Sequence, residues 1–174
     1  MRSVRVSQSI DPISSQIEIN TCDFEIISKR DVEYSFQTQQ PISVYFNGKL
    51  QSTCFVEAAK RKSYKVWSVR AEDYIGLMDS IPYFGGMYFD KNADEIINDI
   101  FSVAKVPYEL DSQFDGVKVS GHIPYTNCRE ALMQVCFAIG AVVDTVGLDL
   151  VMVRSLSQEL SQEISANRVM VGQS

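Results

Sequence analysis

Gly121-His-Ile-Pro-Tyr-Thr-Asn-Cys-Arg-Glu-Ala-Leu-Met-Gln-Val-Cys-Phe-Ala-Ile-Gly140 is the stretch that decides how this chain is read. Asn127 followed three residues later by Glu130 is a capping-box-like start, in which the Asn side chain accepts a hydrogen bond from a first-turn N–H. Ala131, Leu132, Val135, Cys136 and Ile139 fall at helical spacing on one face, and Gly140 suits a left-handed stop. The residues predict a turn, a capped helix that is apolar on one side, and a halt. Nothing in the stretch is arranged as a catalytic group.

Upstream, Met87, Tyr88 and Phe89 predict a short strand. Asn92 and Glu95 repeat the capping pattern, Ile96, Ile97, Ile100, Phe101 and Ala104 recur at helical spacing, and Pro107 prevents continuation. Residues 108–110 and 117–123 read as extended pieces separated by a turn at Asp115-Gly116, and 149–153 as a final strand. The order is β-α-β-β-α-β, which predicts two helices on one face of a small sheet.

Residues 1 to about 80 have the other rhythm. Ile17 and Ile19 alternate with polar neighbours, then Cys22, Phe24 and Ile26 do so out of phase, so a bulge or bend is expected near Thr21. Val44, Phe46 and Leu50 flank Asn47-Gly48, a hairpin signal, because both turn positions need positive φ. Cys54, Val56 and Ala58 alternate toward Lys60-Arg61-Lys62, read as a solvated turn. Tyr64, Val66 and Ser68 are expected on one face of the next strand, with Lys65, Trp67 and Val69 on the other. Bulk on both faces predicts a strand that is covered twice or lies at an interface. Asp73 is expected to start a short helical turn through Met78. Ser80 to Gly86, with Pro82 and a Gly pair, marks a break. The fold class is therefore α+β, with a β-rich domain over 1–82 and a small α/β domain over 83–155. Over 156–174, a linker helix is expected on the stripe Leu156, Leu160 and Ile164, followed by a strand starting at Val169. That late strand predicts a longer parent polypeptide.

Composition narrows the function. The chain has 174 residues, 45% hydrophobic and 22% charged, with a net charge of −6. That is the balance of a folded domain, and it disfavours a partner bound through its phosphate backbone. Cys22, Cys54, Cys128 and Cys136 form no CxxC pair, and His122 is the only histidine, so no zinc site, disulfide or cofactor is expected. No membrane span or apolar leader core is read, so the chain is expected to be synthesised soluble in the cytoplasm. There is no P-loop, dinucleotide fingerprint or nucleophile elbow. A cysteine enzyme would need Cys128 beside His122, with Arg129 near the helix start lowering the thiol pKa. Asp94 and Glu95 are read as first-turn acids favoured by the helix dipole rather than as metal ligands or glycosidase carboxylates. Tyr83, Phe84, Tyr88 and Phe89 around Gly85-Gly86 are read as a hinge packed between modules, against the alternative of a stacking site.

The ordered set 11–14, 41–50, 69–78, 94–100, Gly121-His-Ile-Pro124, and 129–135 leading to Ala138-Ile-Gly140 resembles the central hub proteins of phage tails and related contractile injection systems. The resemblance covers roughly residues 10 to 172. It implies a structural, non-enzymatic protein with a barrel-like domain similar to tail-tube subunits, joined to a small α/β domain. It implies a trimeric ring in the full-length parent, with tube, spike and tape-measure proteins as partners. It also implies a place in the virion tail after synthesis in the bacterial host. Tyr64, Val66, Trp67, Tyr83, Phe84, Leu156, Leu160 and Ile164 are the expected subunit or domain interface. No sequence-specific nucleic acid is expected. A small binding module for peptide, glycan or single-stranded nucleic acid is the alternative.

Overall fold

The structure is a computed structural model and describes residues 3–9, 16–30 and 33–156. β1 (Ser3–Ser7), β2 (Thr21–Ile27), β3 (Pro41–Phe46), β4 (Lys49–Ser63) and β5 (Val66–Glu72) form one antiparallel sheet in the order β1-β2-β5-β4-β3. The sheet curls into a half-barrel. Its concave side buries Cys22, Phe24, Cys54, Val56, Val69 and Ala71. The hairpin between β3 and β4 turns on Asn47 and Gly48, at φ of 49° and 75°. Those are the two left-handed positions that an Asn-Gly turn supplies at low steric cost.

The phase slip near Thr21 has a physical cause. Ile17 and Ile19 lie before the strand and pack against the helical core, whereas Cys22 and Phe24 point into the sheet core. The chain crosses from one core to the other at Asn20, so the alternation restarts. Two other expectations shift. Lys60-Arg61-Lys62 is not a turn but the end of β4, and the turn falls at Tyr64-Lys65. Register shifts between Val56 and Ala58, and between Arg61 and Ser63, let the strand run on past the expected corner. A third shift, between Val44 and Tyr45, breaks the alternation of β3, so Tyr45 and Phe46 both face outward.

α1 (Tyr74–Asp79) starts at Asp73, whose carboxylate accepts from the N–H groups of Ile75 and Gly76 at 3.0 and 3.2 Å. Beyond it come β6 (Pro82–Tyr83), β7 (Gly86–Asn92), α2 (Ala93–Ala104), β8 (Tyr108–Leu110), a 3-10 turn (Ser112–Phe114), β9 (Lys118–Ile123), β10 (Thr126–Asn127), α3 (Cys128–Ile139), β11 (Ala141–Asp144) and β12 (Val151–Ser155). The single small sheet expected from this order is replaced by three short pairings. β6 pairs with β10, β7 with β9, and β12 lies between β11 and β8. β6 and β10 have two residues each and β8 has three, too few to bridge two neighbours in one ladder. The helices carry the core instead. Ile96, Ile97, Ile100 and Phe101 of α2 and Ala131, Leu132 and Val135 of α3 bury against Ile75 and Met78 of α1 and Val151 and Val153 of β12.

The two helix starts differ. At α3, Asn127 Oδ1 accepts from Glu130 N at 2.8 Å, as the sequence predicts. At α2, Asn92 occupies the cap position but its side chain makes no cap bond, and its Nδ2 donates to Glu95 Oε1 at 2.9 Å. Gly140 closes α3 in the left-handed region, and Lys105 does the same for α2. At the expected break, Gly85 is not a release of restraint but a close approach. A Cβ there would lie 2.1 Å from the Ile123 carbonyl oxygen, so only glycine lets the backbones meet.

Candidate assembly surfaces

The interior has two polar ties between the sheet and the helical core. In the first, Asn20 Nδ2 donates to Thr145 Oγ1 at 2.8 Å, and Thr145 Oγ1 donates to Asp73 Oδ2 at 2.7 Å. All three residues are buried. Burial pushes the Asp73 carboxyl above its ordinary range, against the hydrogen bonds from Thr145 and the helix N–H groups. In the second, the Arg129 guanidinium donates from Nε and Nη2 to the Ile17 carbonyl at 2.8 and 2.6 Å and from Nη1 to Asp79 Oδ1 at 3.1 Å. Arg129 thus clamps α3 to the segment before β2 and to the end of α1.

The Arg129 tie bears on the candidate cysteine. Cys128 is wholly buried, and its N–H donates to the Ile81 carbonyl at 2.8 Å. Burial first, and the nearby Asp99 carboxylate second, push its thiol up rather than down. The lowering anticipated from Arg129 is absent because that guanidinium points to Ile17 and Asp79. His122 is exposed on β9 opposite Met87. Cys136 is also buried, its thiol pushed up to about 12. All four cysteines are free. Among the described residues no group of three His, Cys, Asp or Glu side chains is placed to hold a metal, and no helix is long and apolar enough to cross a membrane.

The expected interface residues fall into three places. Tyr64, Val66 and Trp67 lie together at one end of the sheet. Tyr64 is 65% exposed in the turn, with Lys65 Nζ 5.6 Å from its ring centroid. Trp67 is half-buried, its ring 6.2 Å from those of both Tyr34 and Phe36. Its Nε1 is buried without a hydrogen-bond partner. Tyr83 and Phe84 part company. Tyr83 is buried and donates to Asp99 Oδ2 at 2.8 Å, whereas Phe84 is 82% exposed, its ring 5.5 Å from that of Tyr125. The aromatic set is therefore not a packed hinge. Tyr83 and Tyr88 turn inward, while Phe84, Met87 and Phe89 turn to solvent. Leu156 lies beside Ser9, Ile17 and Phe137 in an open hollow of about 230 Å³. Leu160 and Ile164 lie outside the described residues.

Sequence reasoning missed Phe137, Tyr125, Tyr45 and Phe46, all exposed. Phe137 had a signal, since it falls off the apolar stripe of α3. Tyr45 and Phe46 had none, because a bulge decides their facing. A further apolar trough of about 560 Å³ runs between the sheet edges β1 and β3, lined by Val4, Val6, Phe24, Ile42, Val44 and Phe46. Gln8 Nε2 donates to the Gln51 carbonyl at 2.7 Å and draws one end of the trough together.

The curled antiparallel sheet joined to a small helix pair is a fold similar to that of solved tail proteins. The 43 kDa tail protein of prophage MuSo2 from Shewanella oneidensis superposes with a TM-score of 0.62 at 10% identity, over 81% of this chain and 47% of that one. A tail protein from Neisseria meningitidis gives 0.58 at 13% identity, over 78% and 41%. A prophage tail protein from Listeria monocytogenes gives 0.54 at 14%, over 84% and 45%. The chain thus spans less than half the length of each of these structures. At these identities the likeness is one of fold. No protein-family model and no curated protein sequence matches the chain.

Proposed function

We propose that the chain is a structural component of a phage tail or phage-like injection apparatus, part of a hub or baseplate protein that joins the tail tube to a spike or tail tip. The observation that carries this reading is the fold shared with three tail proteins over about four fifths of the chain. In this reading residues 1–82 supply the tube-like sheet and 83–155 the small α/β part, with α1 as the joint. Tube, spike and tape-measure proteins are the partners, and the full-length parent is a homotrimer in the virion tail. The half-barrel, whose edge strands β1 and β3 have no further strand beside them among the described residues, supports this, because tube-like assemblies close their sheets across neighbours. The role is non-enzymatic.

The test is to tag the parent reading frame and purify the tails. The tag is expected at the tube–tip junction in electron micrographs, and its deletion is expected to leave tails without tips. Normal tails lacking the protein would overturn the reading. The exposed rings of Phe84, Phe89 and Tyr125 favour one second reading, a binding module for peptide, glycan or single-stranded nucleic acid. Array binding that Phe89→Ala weakens would select it.

A further inference from the structure

One side of α3 serves neither core. Phe137, the only ring on this helix, is 79% exposed, and Met133 lies one turn before it, at the i, i+4 spacing that puts two side chains on the same face. Both line the open hollow of about 230 Å³, together with Ile17, Ile75, Val142 and Leu156. Met133, Phe137 and Leu156 belong to neither hydrophobic cluster. The buried polar groups of the hollow, Asn20 and Thr145, are already engaged. Asn20 donates from Nδ2 to Thr145 and accepts from Ser9 N at 2.8 Å, and the Thr145 hydroxyl donates to Asp73. An apolar face can therefore cover the hollow without leaving them unpaired.

The chain itself supplies such a face. Ser155, the last residue of β12, pairs with Ala141, which follows the Gly140 stop of α3, so Leu156 leaves the sheet at the mouth of the hollow. Beyond the described residues the sequence runs on as Ser157-Gln-Glu-Leu-Ser-Gln-Glu-Ile164, in which Ser-Gln-Glu occurs twice, each time before an apolar residue. On a helix, Leu156, Leu160 and Ile164 advance about 40° per step and share a face about 80° wide, with Gln158 and Gln162 on the opposite side. Side chains four apart form the ridge that packs against a like ridge on another helix, here Met133 and Phe137. A helix this short does not hold in water without such a partner.

We propose that residues 157–164 form a helix whose Leu160 and Ile164 lie over Met133 and Phe137 of α3 and close the hollow above Leu156. The occupant is this segment of the same chain rather than a separate partner. Leu156 already stands in the hollow and tethers the segment to it, so its effective concentration there is on the order of millimolar before any contact forms. The stripe expected at a subunit or domain boundary is thereby placed within one chain. Phe137 is withdrawn from the surface open to partners. The inference does not rest on the assembly reading.

Hydrogen exchange on the 174-residue chain, read by mass spectrometry on peptides across 157–164, tests this. In the wild type these amides are expected to exchange at least about tenfold more slowly than an unstructured chain of the same sequence. Phe137→Ala changes one exposed side chain. It should leave the amides of α2 and β5 as protected as before, while those of 157–164 lose most of their protection. Leu160→Asp should do the same, whereas Gln162→Asp, on the far side of the stripe, should change the rates by less than about twofold. Wild-type amides at the unstructured rate overturn the inference. So does protection that survives either Phe137→Ala or Leu160→Asp, and so does an equal loss in Gln162→Asp. Protection that grows with protein concentration over about a hundredfold range assigns the hollow to a second copy and overturns it as well. None of these results bears on whether the parent is incorporated into tails, so the two readings fail separately.

Discussion

The two cores of this molecule are closed in different ways. Among the described residues, the helical cluster holds nineteen buried residues drawn from α1, α2, α3, β12 and the segments between them, whereas the sheet cluster holds six. Helices α2 and α3 cover each other's apolar stripes, and β8 and β12 cover the remaining side. The sheet has a concave face and, among the described residues, no strand beyond its edges β1 and β3, and the trough between them leaves Val4, Val6, Ile42 and Val44 lining an open space. A helix pair satisfies its own backbone and needs only side-chain partners. A curled sheet of five strands leaves edges that must be paired, covered or blunted. Under the proposed assembly role, the difference singles out the sheet as the part suited to pairing with a neighbour.

The sharpest way to break that comparison is a pair of truncations. Ile97→Ala, in the closed core, should cost about 2–5 kcal/mol. Val69→Ala, equally buried but paired across the sheet with Phe24, which lines the open trough, should cost only about 1–2 kcal/mol, the transfer of two methyl groups with room to relax. Urea midpoints measure both, and equal costs would erase the distinction between the cores.

Arg129→Ala comes next, at about 1–3 kcal/mol, because it strips the donors from the Ile17 carbonyl. Trp67, the sole tryptophan, reports on the sheet, while far-UV circular dichroism reports chiefly on the helices. The two signals should unfold together in the wild type and separate in Arg129→Ala. Coincident transitions in the variant would mean that the Asn20–Thr145–Asp73 tie holds the cores together alone.

The pH dependence is smaller. The raised pKa of buried Asp73 means that the folded state holds the proton more tightly than the unfolded one. Its contribution is therefore complete below the unfolded value and is lost as pH rises through the folded one. The stability of the wild type relative to Asp73→Asn should fall as pH rises above the ordinary aspartate range, as followed by thermal melts. A flat or rising difference would show that the Thr145 and helix N–H bonds outweigh burial. The smallest effect is that of Phe84→Ala, which should change stability by less than about 0.5 kcal/mol, since the ring is 82% exposed. A larger loss would place that ring inside the fold rather than on an assembly surface.

Much of this fold is legible from short stretches, because the forces that write it act over short distances. The Asn127 cap and Gly140 stop of α3, the Asp73 cap of α1 and the Asn47-Gly48 turn each depend on residues within about one helical turn or one hairpin. The stripe of α2 reads equally well, although its cap residue behaves differently. The candidate surfaces are less legible. Tyr64, Val66 and Trp67 are visible as bulk on both faces of a strand, but the bulge at Val44 and Tyr45 that turns two aromatic rings outward leaves no mark in the alternation. Phe84 and Phe89 are visible as rings, but whether a ring is hinge or surface depends on how Gly85 meets Ile123.

By itself, then, the sequence determined the elements, their caps and the change of rhythm from strand to helix, all of which follow from backbone geometry and nearest-neighbour hydrogen bonds. Only the tertiary structure decided that Ile17 and Ile19 serve the helical core while Cys22 and Phe24 serve the sheet, that Arg129 reaches back across 112 residues to Ile17, and that Asn20, Asp73 and Thr145 meet in one buried chain. Such contacts join residues far apart in the chain. No local propensity encodes them, and they are fixed by which buried polar group finds which partner once the two cores are packed.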